Sequence, residues 1–283
     1  MGSPIVVITG AGSGIGQALA KKYAEDGAAL AISDINETTL AETVAQCEAL
    51  GAKQIHSQTL DVADEDAWKT YAQTVESTLG PATLIINNAG VTVASRADEV
   101  SMKDFEWIMN INFWGMVYGT LAFLDQIKAT NGQIANVSSI FGYFATPTQC
   151  TYHASKFAIR GFTESLYQEL KLSHPKVGIT TIAPGGIRTN IIRNGKILDR
   201  TLSFDQEEFA KNFDKIASTS SEAAAKVIFK GLKKRKRHIL IGIDAHFLRM
   251  LTRLFPSQYL NMVLWWSRVQ AKVAAKKNKK NAS

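Results

Sequence analysis

The chain is expected to fold as a doubly wound α/β protein, a mostly seven-stranded parallel sheet flanked by helices. Three observations predict it. Short β-branched runs alternate with longer stretches of helical apolar period from residue 4 to about residue 243. A glycine-rich turn joins the first such run to the first helix. Small and amide residues follow several of the runs, where open α/β sheets form their binding crevice.

Composition suits that architecture. The 283 residues are 46% hydrophobic and 20% charged, enough apolar material for one large core and too little charge for disorder. Cys47 and Cys150 form neither a disulfide framework nor a metal pattern, which points to a reducing, cytoplasmic setting and no metal. The N-terminus has no basic flank or long apolar region, so no signal peptide is expected. No run reaches the roughly 18 apolar residues of a membrane span. The net charge of +7 hides an asymmetry: from Lys233 onward 13 Lys and Arg face one acid, Asp244, whereas the preceding residues carry 19 against 24.

Pro4 to Thr9 is the first strand, and Ile15, Leu19 and Tyr23 recur at helical spacing after it. Between them Gly10, Gly14 and Gly16 make a turn whose backbone N–H groups can approach a pyrophosphate at a helix N-terminus. Ala28 to Ser33 is the second strand. It ends at Asp34, where a carboxylate would accept hydrogen bonds from a ribose 2′-hydroxyl and repel a 2′-phosphate. Neither Ser13 nor Ile35 supplies a cation to reverse that preference, so NAD is favoured, with NADP as the second option. Asp34 could instead cap the helix that starts near Glu37.

A helix from about Thr38 to Leu50 closes at Gly51, and Gln54 to Leu60 forms a third strand ending in Asp61 and Val62, a pair suited to holding an adenine by edge and face. As a plain loop residue Asp61 would look the same. A helix from Glu65 to Leu79 stops at Gly80 and Pro81, and Thr83 to Ile86 runs into Asn87, Asn88, Ala89 and Gly90. Phe105 to Leu124 is one long helix with Asn110 and Asn112 in an apolar surround, and a buried amide there must be hydrogen-bonded. Gln133 to Ser138 is the next strand, followed by a helix through His153 to Leu170 that sets Tyr152 and Lys156 one turn apart. A cation beside a phenol lowers its pKa and fits it for acid/base work, although a tyrosine packed under a lysine stem has the same spacing. Gly178 to Ala183 leads to Pro184, Gly185 and Gly186, with Thr189 beyond, and residues 190–219, with Phe204, Phe209 and Phe213, are long enough for a mobile flap.

In this order and spacing, Thr9-Gly10-x-x-x-Gly14-x-Gly16, Asp61, Asn87-Asn88-Ala89-Gly90, Asn112, Ser139, Tyr152-x-x-x-Lys156 and Pro184-Gly185 resemble the short-chain dehydrogenase/reductases of the classical type, from Ile5 to about Ile243. The resemblance implies a Rossmann catalytic domain over residues 1–243 and hydride transfer between NAD(P) and an alcohol or carbonyl. Tyr152 would be the general acid or base. Lys156 would lower its pKa and bond the nicotinamide ribose, Ser139 would hold the substrate oxygen, and Asn112 would support a water relay to Lys156. The cofactor would be held by Gly10, Ser13, Gly14, Ile15, Gly16, Asp34, Asp61, Val62, Asn88, Ala89, Gly90, Tyr152, Lys156, Pro184, Gly185, Ile187 and Thr189. The substrate would meet Ser139, Phe141, Tyr152 and Gly186, in apolar surroundings that suit a hydrophobic secondary alcohol or its ketone or aldehyde. A homodimer or homotetramer is the family's usual form. His153 is expected on the helix surface and Cys150 in packing. A dinucleotide-binding sensor on the same fold is the non-catalytic alternative, but it has no need of Asn112, Ser139, Tyr152 and Lys156 together.

Residues 244–283 depart from the family pattern as a basic amphipathic helical extension. Phe247, Leu248, Leu251, Leu254 and Phe255 share a face, followed beyond Pro256 by Tyr259, Leu260, Val263, Leu264 and Trp266. Packing on the body or a second subunit, peripheral contact with an anionic membrane, and nucleic-acid binding all compete for it; the last lacks any reading module.

Overall fold

In a computed structural model the protein is described over residues 3–198 and 206–281, with side chains described as far as residue 269 except that of residue 216. The parallel sheet has seven strands in the order β3-β2-β1-β4-β6-β7-β9. They are β1 Ile5–Thr9, β2 Ala29–Asp34, β3 Ile55–Thr59, β4 Leu84–Asn87, β6 Gln133–Val137, β7 Gly178–Pro184 and β9 His238–Ile241. A second, two-stranded sheet pairs β5 (Val93–Ala94) with β8 (Lys196–Ile197). The strand order reverses between β1 and β4, the point where such sheets open a crevice beyond their C-terminal ends.

The strands read as apolar runs because both faces are covered. Val6 and Ile8 of β1, with Leu30 and Ile32 of β2, enter one core with Leu19 and Tyr23 of α1 (Gly14–Glu25), Leu40 of α2 (Glu37–Ala49), and Ile228 and Leu232 of α8 (Ser221–Lys233). Ile5 and Val7 face the other way, into Trp68 and Tyr71 of α3 (Glu65–Leu79), Phe123 and Ile127 of α5 (Gly115–Ala129), and Leu166 and Leu170 of α6 (Cys150–Ser173). The alternation along β1 thus divides two cores.

The expected single helix at 105–124 is interrupted. Helix α4 (Met102–Met109) passes into a π-helical turn, Asn110–Trp114, before α5, and Gly115 N–H bonds Asn110 O across it. The extra residue turns Asn112 into the interior while Asn110 stays exposed. Residues 190–219 are not one irregular flap either: they contain β8 and α7 (Gln206–Ile216), and Arg193, just before β8, pairs with Glu207 and Asp214 of α7, each at 3.0 Å. The middle of that expected flap, with Phe204, lies outside the described residues. Beyond β9 the extension forms α9 (Ile243–Leu254) and α10 (Gln258–Asn281).

A buried amide network locks the central strands to the helices. Asn136 on β6 is fully buried; its Oδ1 accepts from Asn87 Nδ2 of β4 at 2.8 Å, and its Nδ2 donates to Thr163 Oγ1 of α6 at 3.0 Å. Asn87 also donates to Thr120 of α5 at 3.1 Å. Asn136→Ala removes both of these buried bonds and is expected to lower unfolding free energy by about 1–3 kcal/mol. An unchanged urea midpoint would show that the network contributes nothing.

Candidate active site

Helix α6 begins at Cys150, so Tyr152 stands in its first turn and Lys156 one turn on, and both are buried. The ammonium lies 5.5 Å from the phenol ring centroid and donates to Val137 O, the end of β6, at 3.2 Å. The adjacent Ser138 hydroxyl donates to Lys156 O at 2.8 Å, so strand end and helix are joined on both sides. Ser139 opens a short 3-10 turn, Ile140–Gly142; its hydroxyl accepts from Phe141 N–H at 3.1 Å and reaches Pro184 O at 3.5 Å. The Phe141 ring meets Tyr152 edge-on, centroids 6.1 Å apart.

The expected lowering of the tyrosine by the lysine is absent from the protein alone. Burial pushes Tyr152 up to about 12, opposed by the Ser139 hydroxyl, and pushes Lys156 down to about 8. Desolvation dominates both shifts because both groups lie in the same dry space.

Asn112 is indirectly connected to this pair. Its Oδ1 accepts from Val91 N–H at 2.8 Å, and its Nδ2 donates to Val91 O at 2.9 Å and to Ser155 Oγ at 3.0 Å. Ser155 in turn donates to Tyr152 O at 2.8 Å. Gly90 lies between Asn112 and the lysine: a Cβ there would stand 3.1 Å from Asn112 Oδ1 and 3.4 Å from Lys156 Nζ. Ser155 was not anticipated, although it falls three residues after Tyr152 on the same helix.

His153 and Cys150 correct two expectations. His153 is buried: its Nε2 accepts Thr146 N–H at 2.9 Å, so its Nδ1–H donates to Phe141 O at 3.1 Å. Burial lowers its pKa and keeps the ring neutral in that role. The loop 141–146 folds back over the helix and covers it. Cys150 is exposed at the helix start, not packed.

The glycine turn, β1 to α1, has the shape a dinucleotide needs. Gly10 and Gly14 hold φ of 63° and 56°, which L side chains rarely adopt. Ser13 is the N-cap of α1 and spends no side-chain bond on it, while Ile15 packs on the core. The turn is carried from below by Asn88, whose Nδ2 donates to Thr9 O at 2.9 Å and Gly10 O at 3.2 Å. Ala89 N–H donates to Thr9 Oγ1 at 3.0 Å. Asn88 therefore supports the turn more than it lines the crevice. Asp34 is not the cap of α2; Asn36 is, accepting from Thr39 N–H. The Asp34 carboxylate accepts from Gly12 N–H at 2.8 Å and Asn36 N–H at 2.9 Å, which aims it across the turn. Gly12 is the glycine missed in the sequence, in plain view between Gly10 and Gly14.

Asp61 is exposed and accepts from Ala63 N–H at 2.9 Å, with Val62 buried beside it. Thr189, after Pro184 to Gly186, reaches the turn from the opposite side, its Cβ 3.3 Å from where a Cβ on Gly14 would be. Ile187 is buried in the core, so only its backbone faces the crevice. Gly186 N–H is engaged by Asp244 Oδ2 at 2.7 Å and is not free for a substrate. The glycine turn, the Asp34 carboxylate and the Tyr152–Lys156 pair fit a nicotinamide dinucleotide laid over the sheet edge from Gly10 to Lys156.

Tyr152 is packed among Val91, Val93, Ile108, Trp107, Ile191 and Leu198. The β5–β8 pairing brings these distant segments together, and no local pattern announces it. A separate cavity of about 360 Å³, lined by Glu164, Tyr167, Arg237 and His238, lies along α6 and β9 away from the reactive groups.

Comparison with known proteins places this geometry. The short chain dehydrogenase family profile matches residues 4–196. SadH of Mycobacterium tuberculosis, named as an oxidoreductase, is 42% identical over 261 residues, covering 92% of this chain and 93% of its own. The C alpha-dehydrogenase of a Sphingobium strain is 27% identical over 98% of each chain. Among solved structures, a short chain dehydrogenase/reductase of Burkholderia phymatum in complex with NAD superposes with a TM-score of 0.80 at 27% identity, covering 89% of this chain and 93% of that one. The chain belongs to the short-chain dehydrogenases and is an NAD(P)-dependent oxidoreductase.

Proposed function

We propose that the enzyme interconverts a hydrophobic secondary alcohol and its ketone or aldehyde, with NAD as the preferred dinucleotide, as a cytoplasmic homodimer or homotetramer that touches the inner face of a membrane. The observation that carries the reading is the placement of Tyr152: one phenol, facing the Ser139 hydroxyl, packed among aliphatic and aromatic side chains. Such apolar surroundings suit an apolar substrate whose single oxygen meets the two hydroxyls. Trp114, Leu121 and Phe157, exposed on and beside α5 and α6, support the oligomer.

A dinucleotide held along the glycine turn, Asp34 and Lys156 would supply or accept the hydride at the substrate carbon. The chain's own part is at the oxygen. Ser139 orients it by donating a hydrogen bond, and Tyr152 delivers a proton to it during reduction and recovers that proton during oxidation. With Tyr152 raised to about 12 and Lys156 at about 8, phenol and ammonium are both largely protonated at neutral pH, the state reduction requires. Oxidation draws on the scarce phenolate, so base favours it. Preference for NAD is supported by Asp34, whose carboxylate would meet a 2′-phosphate directly, and by the NAD carried in the Burkholderia relative.

Tyr152→Phe is expected to lower NADH-dependent ketone reduction by at least about a hundredfold while NADH fluorescence titration still shows binding; full turnover in that variant sinks the mechanism. Asp34→Ala should shift the NADH/NADPH ratio of kcat/KM towards NADPH by about tenfold or more, and a wild type that already prefers NADPH overturns the assignment of Asp34. Alcohol oxidation should climb steadily between pH 6 and 9 while ketone reduction does not. Parallel profiles for the two directions would remove Tyr152 as the titrating group.

A further inference from the structure

Helix α9 is apolar on the side it turns to solvent. Its packed side is Ala245, fully buried, and Leu248, against Ile140 and Tyr143. On the opposite side Ile243, Phe247, Met250 and Leu254, at i, i+4, i+7 and i+11, all stand exposed. Arg249 and Arg253 flank that stripe, and Arg249 also lies over the Tyr143 ring at 5.2 Å. In the first half of α10, Tyr259 is buried, 5.4 Å ring to ring from Phe144. Leu260, Met262, Leu264, Trp265 and Trp266 surround the rest of that half and are exposed, the tryptophans by 64% and 57%. A helix apolar nearly all round requires an apolar partner.

Charge decides which. After Asp244 no acid occurs, and the segment carries Arg249, Arg253, Arg268, Lys272, Lys276, Lys277, Lys279 and Lys280. A second copy related by a two-fold axis would set these cations against their equivalents with no carboxylate between them. An anionic bilayer offers both what the tryptophans and the leucines need and what the lysines need. Among the described residues no helix is long and apolar enough to cross the membrane, so the element would lie along its surface.

We propose that α9 and the first half of α10 form a docking face for an anionic lipid surface, with the lysines of the second half of α10 held at the headgroups. This gives a specific surface to the membrane contact proposed above. The docked helices grip Ile140, Tyr143 and Phe144, the same short segment that presents Ser139 and Phe141 to the substrate. Docking therefore sets the substrate side of the enzyme against the phase where apolar alcohols and ketones concentrate.

The test is co-sedimentation of the full chain with phosphatidylcholine vesicles and with vesicles also containing phosphatidylglycerol. Two variants accompany it: Trp265→Ser with Trp266→Ser, and Lys272, Lys276, Lys277, Lys279 and Lys280 all to Gln. Turnover of a water-soluble ketone, which does not depend on vesicles, reports folding and the hydride chemistry separately. The expected result is partition to the anionic vesicles about tenfold or more above the neutral ones, weakened by salt, and reduced about tenfold in either variant with turnover retained. Equal partition to both vesicles, or binding unaffected by both variants, overturns the proposal while leaving the hydride chemistry standing. So does a fall in solution mass of the tryptophan variant without any vesicle binding, which would assign the face to a second copy.

Discussion

The molecule is organised around a buried ammonium. Lys156 is 2% exposed and its Nζ reaches one backbone carbonyl, Val137 O. A cation so placed is costly, which is why its pKa falls to about 8. It stays there because the surroundings hold it from every side. Ser138 binds its carbonyl, the Gly142 backbone lies close enough that a Cβ would stand 2.8 Å from Lys156 O, and Asn112 bonds Ser155 one residue away. The end of β6, the 3-10 turn and the π-helical turn all converge on a single turn of α6. Displacing any of them would let water reach the ammonium and relax the desolvation that raises the phenol and lowers the amine.

Much of the framework was legible in the residues. A parallel sheet covered on both faces leaves unbroken β-branched runs, so β1, β2, β4, β6 and β7 were visible to within a residue or two. The glycine turn, Asp34 and the Tyr152–Lys156 spacing were visible because each imposes a residue type at a fixed offset. What was hidden depended on geometry that leaves no such mark. The π-helical turn differs from α-helix by one residue per turn and has no composition of its own. His153 looked like surface because nothing near it shows that 141–146 wraps back. The direction of the Tyr152 shift was misjudged since spacing reports which groups share a face but not how much water remains between them.

The apolar packing around Tyr152 illustrates the same limit. Val93, Ile108, Ile191 and Leu198 come from four separate segments and meet through a two-residue parallel ladder, too short to show a period in either strand. Each alone is an ordinary core residue. They come together only after β8 pairs with β5.

The extension is better understood as part of the site than as an appendage to it. A boundary between residues 243 and 244 would cut α9 after its first residue and separate Asp244 from what it holds. That carboxylate sits in the first helical turn, where the helix dipole favours an anion. It accepts Gly186 N–H and lies so close over Gly185 that a side chain there would collide with it. The loop it secures ends in Thr189, which abuts Gly14 of the glycine turn. A continuous series of contacts therefore runs from the seat of α9 through the loop 184–189 to the glycine turn, and a second runs through Ala245, Leu248 and Tyr259 to the segment carrying Ser139. The sole acid of an otherwise basic tail is thus spent on holding the loop that runs from Pro184 to Thr189.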